Sequence, residues 1–510
     1  MTASTPVSQS KKNPVLIPRN LIFPFALVTT LFALWGFAND VTNPLVKAFK
    51  DVFVISNAQS SLVQTAFYGG YATMALPAAL FIRRFTYKAG IIVGLALYAT
   101  GALISIPAAA NINFNLFLVA LYVLTFGLAF LETTANPFVL SMGPQETATR
   151  RLNLAQAFNP IGSLTGMTVA SLVILSNLQV SDYRADVQAF HKGLNGEVVA
   201  GQVEIDPVLG AYLEGREVEA VEAGEGSLGA LPYDTLLDQS LRGFKAGEFE
   251  SFQGASFQDM QQHDLDVVKL PYVVIGMVVI GVMLVFVFFR MPDTGHDKNK
   301  SLKLVDTFGR LFTNKSYVEG VFAQTFYVGA QIMCWTFIIH YATTNLGMSA
   351  ARAQNYNIIA MAIFCGSRFI CTFVLKYIRP GRLLMILATG GILTTLGTIF
   401  LSGMPGLYCL IGISACMSLM FPTIYGIALD GMGEDAKIAS AGLIFAIVGG
   451  ALMPPLQGRI IDLGGEAGTL MGLPVVSASF VLPLLCFVFI AFYGWRTFTV
   501  HEKRGIQGAL

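Results

Sequence analysis

Twelve long apolar stretches recur along the sequence, and each is long enough to cross a lipid bilayer as an α-helix, which takes about 20 residues. Of the 510 residues, 54% are hydrophobic and only 12% are charged. Soluble domains usually carry about 25% charged residues, so a water-soluble fold is excluded. The predicted spans are 20–47, 58–82, 89–109, 115–141, 152–177, 268–290, 317–344, 350–375, 383–402, 405–429, 437–461 and 470–495.

Basic residues concentrate in one of the two alternating sets of connections between the spans. That set carries 21 lysine and arginine residues, and the opposite set carries 4. Because basic loops stay in the cytoplasm, we expect both termini to be cytoplasmic. The predicted location is an inner or plasma membrane, with the chain crossing it many times.

A long acidic insert, 179–267, lies between the fifth and sixth predicted spans. It holds 17 acidic and 5 basic residues, and the distribution of basic loops places it outside the cytoplasm. Its richness in Gly, Glu and Asp favours a weakly ordered loop or a small cap. A ligand-gathering domain is the alternative.

A polar, basic linker at 291–316 divides the spans into two sets of six. Each set has a short basic turn after its second span, FIRRFTYKAG in the first and VLKYIRPGRLL in the second. Two six-helix halves are typical of the major facilitator fold. The predicted fold class is therefore all-α, with a cytoplasmic tail at 1–19, halves at 20–290 and 317–495, and a second tail at 496–510.

Glu132 is the sharpest candidate for chemistry. It lies mid-span in GLAFLETTANPF, with Asn136 one turn later and Pro137 after it. Charged groups inside a bilayer are expensive and usually functional. Such a carboxyl group can take up a proton on one side of the membrane and release it on the other. The alternative is a protonated glutamic acid that serves only helix packing.

Span 1 contains WGFANDVTNPL, in which Asn39, Asp40 and Asn43 precede Pro44. Proline predicts a kink there, and Asp40 and Asn43 share a helix face because they are three residues apart. Amide and carboxylate groups on one face suit a ligand with several hydroxyl groups. The alternative is a helix end near the membrane surface.

The fifth span begins RRLNLAQAFNPIGSLTG, in which Asn153, Gln156 and Asn159 are spaced by three. This spacing predicts one polar stripe on an apolar helix. Its partners are either sugar hydroxyl groups or side chains of neighbouring helices.

The seventh span, AQTFYVGAQIMCWTFIIHY, places Gln324, Gln331 and Trp335 along similar directions. An aromatic face beside an amide suits a sugar, because the ring stacks on its CH groups while the amide bonds its hydroxyls. Tryptophan also serves as an interfacial anchor. His340, near the end of this span, is expected to be interfacial.

The eighth and tenth spans hold weaker candidates. Asn355 and Asn357, at the outer start of span 8, are candidate sugar ligands. For Arg368 a structural role is favoured over pairing with a carboxylate. Asp430 is expected at the cytoplasmic end, in gating or capping.

Several classes of chemistry lack their motifs. The sequence has no GxxxxGK[ST] motif for ATP, no HExxH or GxSxG motif, and no zinc spacing among its six cysteines. We therefore predict neither an enzyme nor a metal site, and no cofactor apart from a coupling ion. The cysteines are interpreted as packing residues.

Six stretches resemble the L-fucose:proton symporter family of the major facilitator superfamily. They cover both halves and read QTAFYGGYATMALPAALFIRRFTYKAGI, LETTANPFVLSMGP, RLNLAQAFNPIG, AQTFYVGAQIMCW, FPTIYGIALDGMGEDAK and VGGALMPPLQGRIIDLGG. The resemblance implies proton-coupled uptake of a monosaccharide by alternating access. It also implies that Glu132 matches the family's essential glutamate, and that Gln156 and Asn159 match polar residues that face the sugar.

The sequence departs from the family pattern in two places. Where the family reads Asn-Asn-Leu-Asn-Asp, this chain reads Asn39-Asp40-Val41-Thr42-Asn43. Our hypothesis is that amide and acid have exchanged places on one face, which moves the charge by about 5 Å, one helical turn. The second departure is the acidic insert, which exceeds the short loop expected there.

Taken together, the sequence predicts a monomeric proton-coupled importer of fucose or another hexose, with Glu132 and Asp40 in proton coupling. The predicted partners are the sugar and the lipid bilayer, with no nucleic acid. The predicted sugar ligands are Asn39, Asn43, Gln156, Asn159, Gln331, Trp335, Asn355 and Asn357.

Two alternatives remain open at this point. One is a sodium-coupled or uncoupled transporter of glucose, galactose or an amino sugar. The other is a membrane sugar sensor that uses the acidic insert to bind its ligand.

Overall fold

A computed structural model of the chain is almost entirely helical. The described residues are 15–42, 45–55, 59, 62–196, 205–223, 226–231, 233–292, 304–348, 350–463, 469–470 and 472–501.

Within the described residues, twelve helices are long and apolar enough to cross a membrane, which confirms the predicted number. We number them as spans 1 to 12, with spans 1–6 forming the first half and spans 7–12 the second. Their bounds are Arg19–Thr42, Thr65–Arg84, Tyr87–Ala110, Phe114–Ser141, Gln145–Asn177, Phe257–Phe288, Lys315–Asn345, Arg352–Val374, Pro380–Phe400, Met404–Ala428, Ala436–Ile461 and Val475–Thr499.

Shorter elements lie outside the spans. Two short strands, Thr469–Leu470 and Leu473–Pro474, form an antiparallel hairpin before span 12. The further helices are Leu45–Phe53 after span 1, Gln179–Leu194, Pro207–Glu222 and Tyr233–Ala246 in the acidic insert, and Leu304–Thr313 in the linker. We call the membrane face that carries the linker the linker end, and the opposite face the insert end.

Spans 5 and 10 are each broken near their middle. Span 5 contains the helices Ala148–Gln156 and Asn159–Val169, and span 10 contains Met404–Met417 and Met420–Ala428. Pro160 follows the first break and Pro422 the second. Proline has no N–H to donate to the carbonyl group four residues earlier, so it disrupts the helix at that point.

Glycines bring spans together at backbone distance within the first half. A Cβ atom at Gly162 of span 5 would lie 1.9 Å from the carbonyl oxygen of Ala33 in span 1. At Gly101 of span 3, a Cβ atom would lie 2.2 Å from the backbone nitrogen of Leu124 in span 4. Small residues allow such close packing, which holds membrane helices together in the absence of a strong hydrophobic drive.

The buried apolar side chains form two large clusters. One belongs to the second half, and the other fills the first half and the insert. Tyr425, Ile438 and Leu443 come from the second half but belong to the cluster of the first. Since these residues lie in the linker-end portions of spans 10 and 11, the two halves share an apolar core at that end.

The acidic insert is a small helical cap whose buried side chains continue the apolar cluster of the first half. Tyr183 stacks on Phe244 at 6.0 Å and meets Phe252 edge-on at 5.0 Å. Arg184 pairs with Asp51, in the helix after span 1, at 3.2 Å. Of the two forms that the composition favoured, the weakly ordered loop does not fit this helical packing.

The predicted boundary of the insert differs from the structure. Span 6 is continuous from Phe257 to Phe288, so the last turns assigned to the insert at 179–267 belong to the helix of span 6. Asp264 lies in this first part of the span 6 helix. Its two carboxylate oxygens accept hydrogen bonds from the backbone N–H groups of Gln179 and Val180 at 2.7 and 3.0 Å. The carboxylate of Asp264 thus satisfies backbone N–H groups at the start of the first insert helix.

We predict that Gly162→Ala destabilises the protein, because the new methyl group has no space beside the backbone of span 1. The expected loss is about 1–3 kcal/mol, measured as a lower melting temperature in detergent. Gly281→Ala, in span 6, is the matched control, since a Cβ atom there meets nothing within 4 Å. Equal melting temperatures for the two variants would contradict the predicted packing of spans 1 and 5.

Candidate functional site

Glu132 is buried in span 4, with 3% of its surface exposed. Its Oε1 atom accepts a hydrogen bond of 2.8 Å from the hydroxyl group of Tyr71 in span 2. Tyr71 was not among the predicted site residues. No local signal marks it, because 61 residues separate it from Glu132 and tyrosines are common in these spans.

Two amide side chains extend from the backbone of Glu132 towards span 5. The Nδ2 atom of Asn136 donates to the backbone carbonyl of Glu132 at 2.9 Å. The Nε2 atom of Gln156 in turn donates to Oδ1 of Asn136 at 2.7 Å. The predicted proton carrier and one predicted sugar ligand therefore belong to one hydrogen-bonded group.

Arg368 of span 8 joins this group from the second half. Its Nη1 atom donates to the backbone carbonyl of Gln156 at 3.0 Å, and its Nε atom donates to the carbonyl of Ser418 in span 10. The guanidinium group also lies 4.5 Å from the ring centre of Phe364, which meets Trp335 edge-on at 5.0 Å. The structural role expected for Arg368 is thus a contact between the halves.

The three polar side chains of span 5 bond to neighbouring helices, one of the two kinds of partner expected for them. Asn153 and Gln156 lie in one helix and Asn159 begins the next, and their side chains contact three different spans. Asn153 donates to Thr423 of span 10 at 3.2 Å, and Asn159 donates to the carbonyl of Phe32 in span 1 at 3.2 Å.

The predicted residues of span 7 have different environments. Gln331 is half-buried, while the Nε1 atom of Trp335 donates to Ser414 at 3.2 Å. Gln324 is fully buried, and both of its side-chain polar atoms lack a partner among the described residues. Unpaired buried amides are costly, so Gln324 is a further polar group that a ligand or water would satisfy.

Span 1 supplies two described residues of the candidate site. Asn39 and Asp40 are half-buried, and Oδ1 of Asn39 lacks a partner among the described residues. Asn43 and Pro44 lie outside the described residues. The exchange of amide and acid between positions 40 and 43 therefore stays a hypothesis.

The remaining candidates lie apart from the group around Glu132. Asn355 is exposed and Asn357 is half-buried. Neither residue takes part in the recorded hydrogen bonds of the group around Glu132. His340 is exposed at the end of its helix, towards the insert end. Asp430 accepts a bond of 2.8 Å from Gln145, so it joins span 10 to the start of span 5 at the linker end.

The linker helix connects the halves at the linker end. Thr307 accepts a hydrogen bond of 3.0 Å from Arg83 of span 2. Arg310 donates to both carboxylate oxygens of Asp435 at 2.8 Å. This two-pronged contact holds the pKa of Asp435 below its ordinary value, so the carboxylate stays ionised beside the arginine.

Among the described residues, no group of three or more His, Cys, Asp or Glu side chains could hold a metal ion. The polar groups nearest to Glu132 are a tyrosine, amides and a guanidinium. They suit hydrogen bonding to a polyhydroxylated ligand and the binding of a proton.

Known proteins match this chain along nearly its whole length. A model of the Major Facilitator Superfamily matches residues 26–181. The L-fucose-proton symporter of Haemophilus influenzae is 48% identical over 488 residues, which are 96% of this chain and 99% of that protein. The L-fucose-proton symporter of Escherichia coli is 31% identical over 473 residues, which are 92% of each chain.

This chain belongs to the L-fucose:proton symporter family of the major facilitator superfamily. A solved structure of the major facilitator transporter FucP in the outward conformation has a TM-score of 0.71 and 30% identity. The match covers 93% of this chain and 99% of that one. The resemblance and the fold class predicted from the sequence are confirmed, and the chain is a transporter rather than an enzyme.

We predict that Tyr71→Phe destabilises this member of the L-fucose:proton symporter family. The change leaves the buried Glu132 carboxyl group without its tyrosine donor, at a cost of about 1–3 kcal/mol. The expected result is a lower melting temperature in detergent. Tyr408→Phe is the control, because Tyr408 is 59% exposed. An unchanged melting temperature for Tyr71→Phe would show that the bond contributes nothing.

Proposed function

We propose that this protein imports a monosaccharide together with a proton by alternating access, and that the sugar is L-fucose or a close relative of it. The observation that carries the proposal is the buried Glu132, hydrogen-bonded to Tyr71 and followed by two amide side chains of spans 4 and 5. The two relatives described above are both L-fucose-proton symporters.

Glu132 is the proposed proton carrier. A bare carboxylate is expensive inside a membrane, whereas a protonated one is neutral. Protonation would therefore permit the carrier to change conformation with its sugar, and deprotonation would follow when the other side opens. Tyr71 would serve as the fixed donor that keeps the ionised carboxylate in place.

The proposed sugar site lies between the two halves. Its ligands would come from Asn39, Asp40 and Asn43 of span 1, Gln156 and Asn159 of span 5, and Gln331 and Trp335 of span 7. Gln156 and Trp335 already have protein partners. Sugar hydroxyl groups would replace or extend those bonds, which would couple binding to the neighbours of Glu132. Asn355 and Asn357 are proposed as secondary contacts.

The arrangement of the halves supports a state that faces the insert end. Hydrogen bonds join the halves at the linker end through Gln145 and Asp430, and through Asn153 and Thr423. The similar FucP structure is in the outward conformation. With basic loops in the cytoplasm, the linker end would be cytoplasmic and the insert end would face outward.

Reconstituted vesicles test the proposal directly. Adding L-fucose outside should raise the external pH, because each sugar carries a proton inward, and Glu132→Gln should abolish that signal. Glu146→Gln is the matched control, since Glu146 is exposed at the linker-end start of span 5. D-Glucose and D-galactose, with and without a sodium gradient, test the alternative of a sodium-coupled or uncoupled transporter of another sugar.

Each outcome separates the possibilities. Alkalinisation with L-fucose that the Glu132→Gln variant loses supports symport with Glu132 as carrier. Uptake that follows sodium and ignores pH would overturn the choice of coupling ion. A response to glucose but not to fucose would overturn the choice of sugar.

We predict a second role in coupling for Asp40. If the acid of span 1 has moved there from position 43, Asp40→Asn should remove sugar-linked proton movement at saturating sugar. Asp238→Asn is the control, because Asp238 pairs with Arg242 in the insert. Normal proton movement with sugar in the Asp40→Asn protein would refute the exchange.

A further inference from the structure

Arg368 is a buried arginine whose recorded hydrogen bonds go to backbone carbonyls rather than to a carboxylate. Its Nη1 atom donates to Gln156 of the first half at 3.0 Å, and its Nε atom donates to Ser418 of the second half. A buried guanidinium needs acceptors for several donors. These two carbonyl groups supply acceptors in the broken spans 5 and 10.

Both carbonyl groups are available for the same reason. In a regular helix the carbonyl of residue 156 would accept the N–H of residue 160, and that of residue 418 the N–H of residue 422. Those positions are Pro160 and Pro422, which have no N–H. Without water in the hydrocarbon region, a freed carbonyl must find a protein donor.

A third freed carbonyl follows the same rule. Pro137 of span 4 leaves the carbonyl of Thr133 free, and the hydroxyl of Ser440 in span 11 donates to it at 3.3 Å. The carbonyls of Thr133 and Gln156 thus each accept a side chain from the other half. Contacts between the halves satisfy groups that one half alone leaves unpaired.

Arg368 also fixes the neighbourhood of Glu132. By holding the backbone of Gln156, it orients the residue whose side chain donates to Asn136 at 2.7 Å. Asn136 in turn donates to the backbone carbonyl of Glu132. The second half therefore reaches the proposed proton carrier through one arginine and two amides.

We propose that Arg368 is a positioning residue that keeps the linker end closed by donating to the carbonyl groups freed by Pro160 and Pro422. Its planar guanidinium group donates to two acceptors at once. Lysine carries the same charge at a single point on a flexible stem and cannot reproduce that geometry. If charge alone mattered, lysine would suffice.

Cross-linking at the linker end measures closure without transport. A Cβ atom at Gly426 of span 10 would lie 3.2 Å from Cβ of Thr149 in span 5, close to the separation in a disulfide, about 3.5–4.5 Å. All six native cysteines are in the second half. A disulfide from Thr149→Cys to Gly426→Cys, read after cutting a protease site placed in the linker, therefore reports contact between halves. Thr149→Cys alone gives the background.

The expected result is disulfide formation about tenfold slower with Arg368→Lys, because two charge-assisted hydrogen bonds are lost. Arg352→Lys is the matched control, since Arg352 lies in the same span and is exposed, and it should leave the rate unchanged. An unchanged rate with Arg368→Lys, in protein that is monodisperse on size-exclusion chromatography, would overturn the proposal.

Pro160→Ala provides a second test that keeps the arginine, should the lysine variant not fold. Alanine restores the N–H that satisfies the carbonyl of Gln156, so Arg368 loses its partner in the first half and the disulfide should form more slowly. Pro77→Ala, inside span 2, is the control and should have no effect. Equal rates for Pro160→Ala and the unchanged protein would overturn the proposal.

A transport measurement extends the test, and only this arm rests on the proposed function. If the linker end is closed in a smaller fraction of molecules, fewer molecules expose their sugar site at the insert end. The apparent affinity for L-fucose added on that side should therefore fall about tenfold with Arg368→Lys. The turnover rate should change less. Equal loss of both would indicate damage to the sugar site instead. The cross-linking rates need no sugar or proton gradient, so they decide the role of Arg368 even if fucose is not the substrate.

Discussion

The hydrocarbon core of a bilayer offers no hydrogen-bond partner to a carbonyl group that a proline has left free. Among such carbonyls in this transporter are those of Thr133, Gln156 and Ser418. Side chains from other spans satisfy all three, namely Ser440 for the first and Arg368 for the other two. The broken spans therefore depend on donors from neighbouring spans.

Two kinds of helix contact hold this structure together. Within the first half, glycines such as Gly162 and Gly101 bring backbones too close for any side chain, which suits contacts that persist. Between the halves, the recorded contacts include hydrogen bonds from Arg368, Ser440 and Asn153. Polar contacts of this kind can be exchanged for water or a ligand, as alternating access requires. The same groups surround Glu132, so opening the linker end would change its environment.

Several features of this fold were predictable from the sequence because they are local. The length and hydropathy of each span fixed the number of helices, and the central basic linker divided them into halves. Glu132 was identified as a polar residue in an apolar helix. The structure of the acidic insert was harder to predict, since its composition averages over a polar surface and buried side chains that include Tyr183 and Phe244. Only the folded helices separate the two.

The sequence by itself determined how many helices cross and which carbonyls lose their usual donor, because proline acts on the carbonyl four residues before it. It did not determine which spans break, since Pro77 and Pro137 lie inside continuous helices. Nor did it determine which donor satisfies those carbonyls. Arg368 meets Gln156 across 212 residues and Tyr71 meets Glu132 across 61. The tertiary structure alone decided those pairs, since a side chain is oriented by the packing of its helix. For the same reason a regular polar stripe at Asn153, Gln156 and Asn159 became three contacts with three different spans.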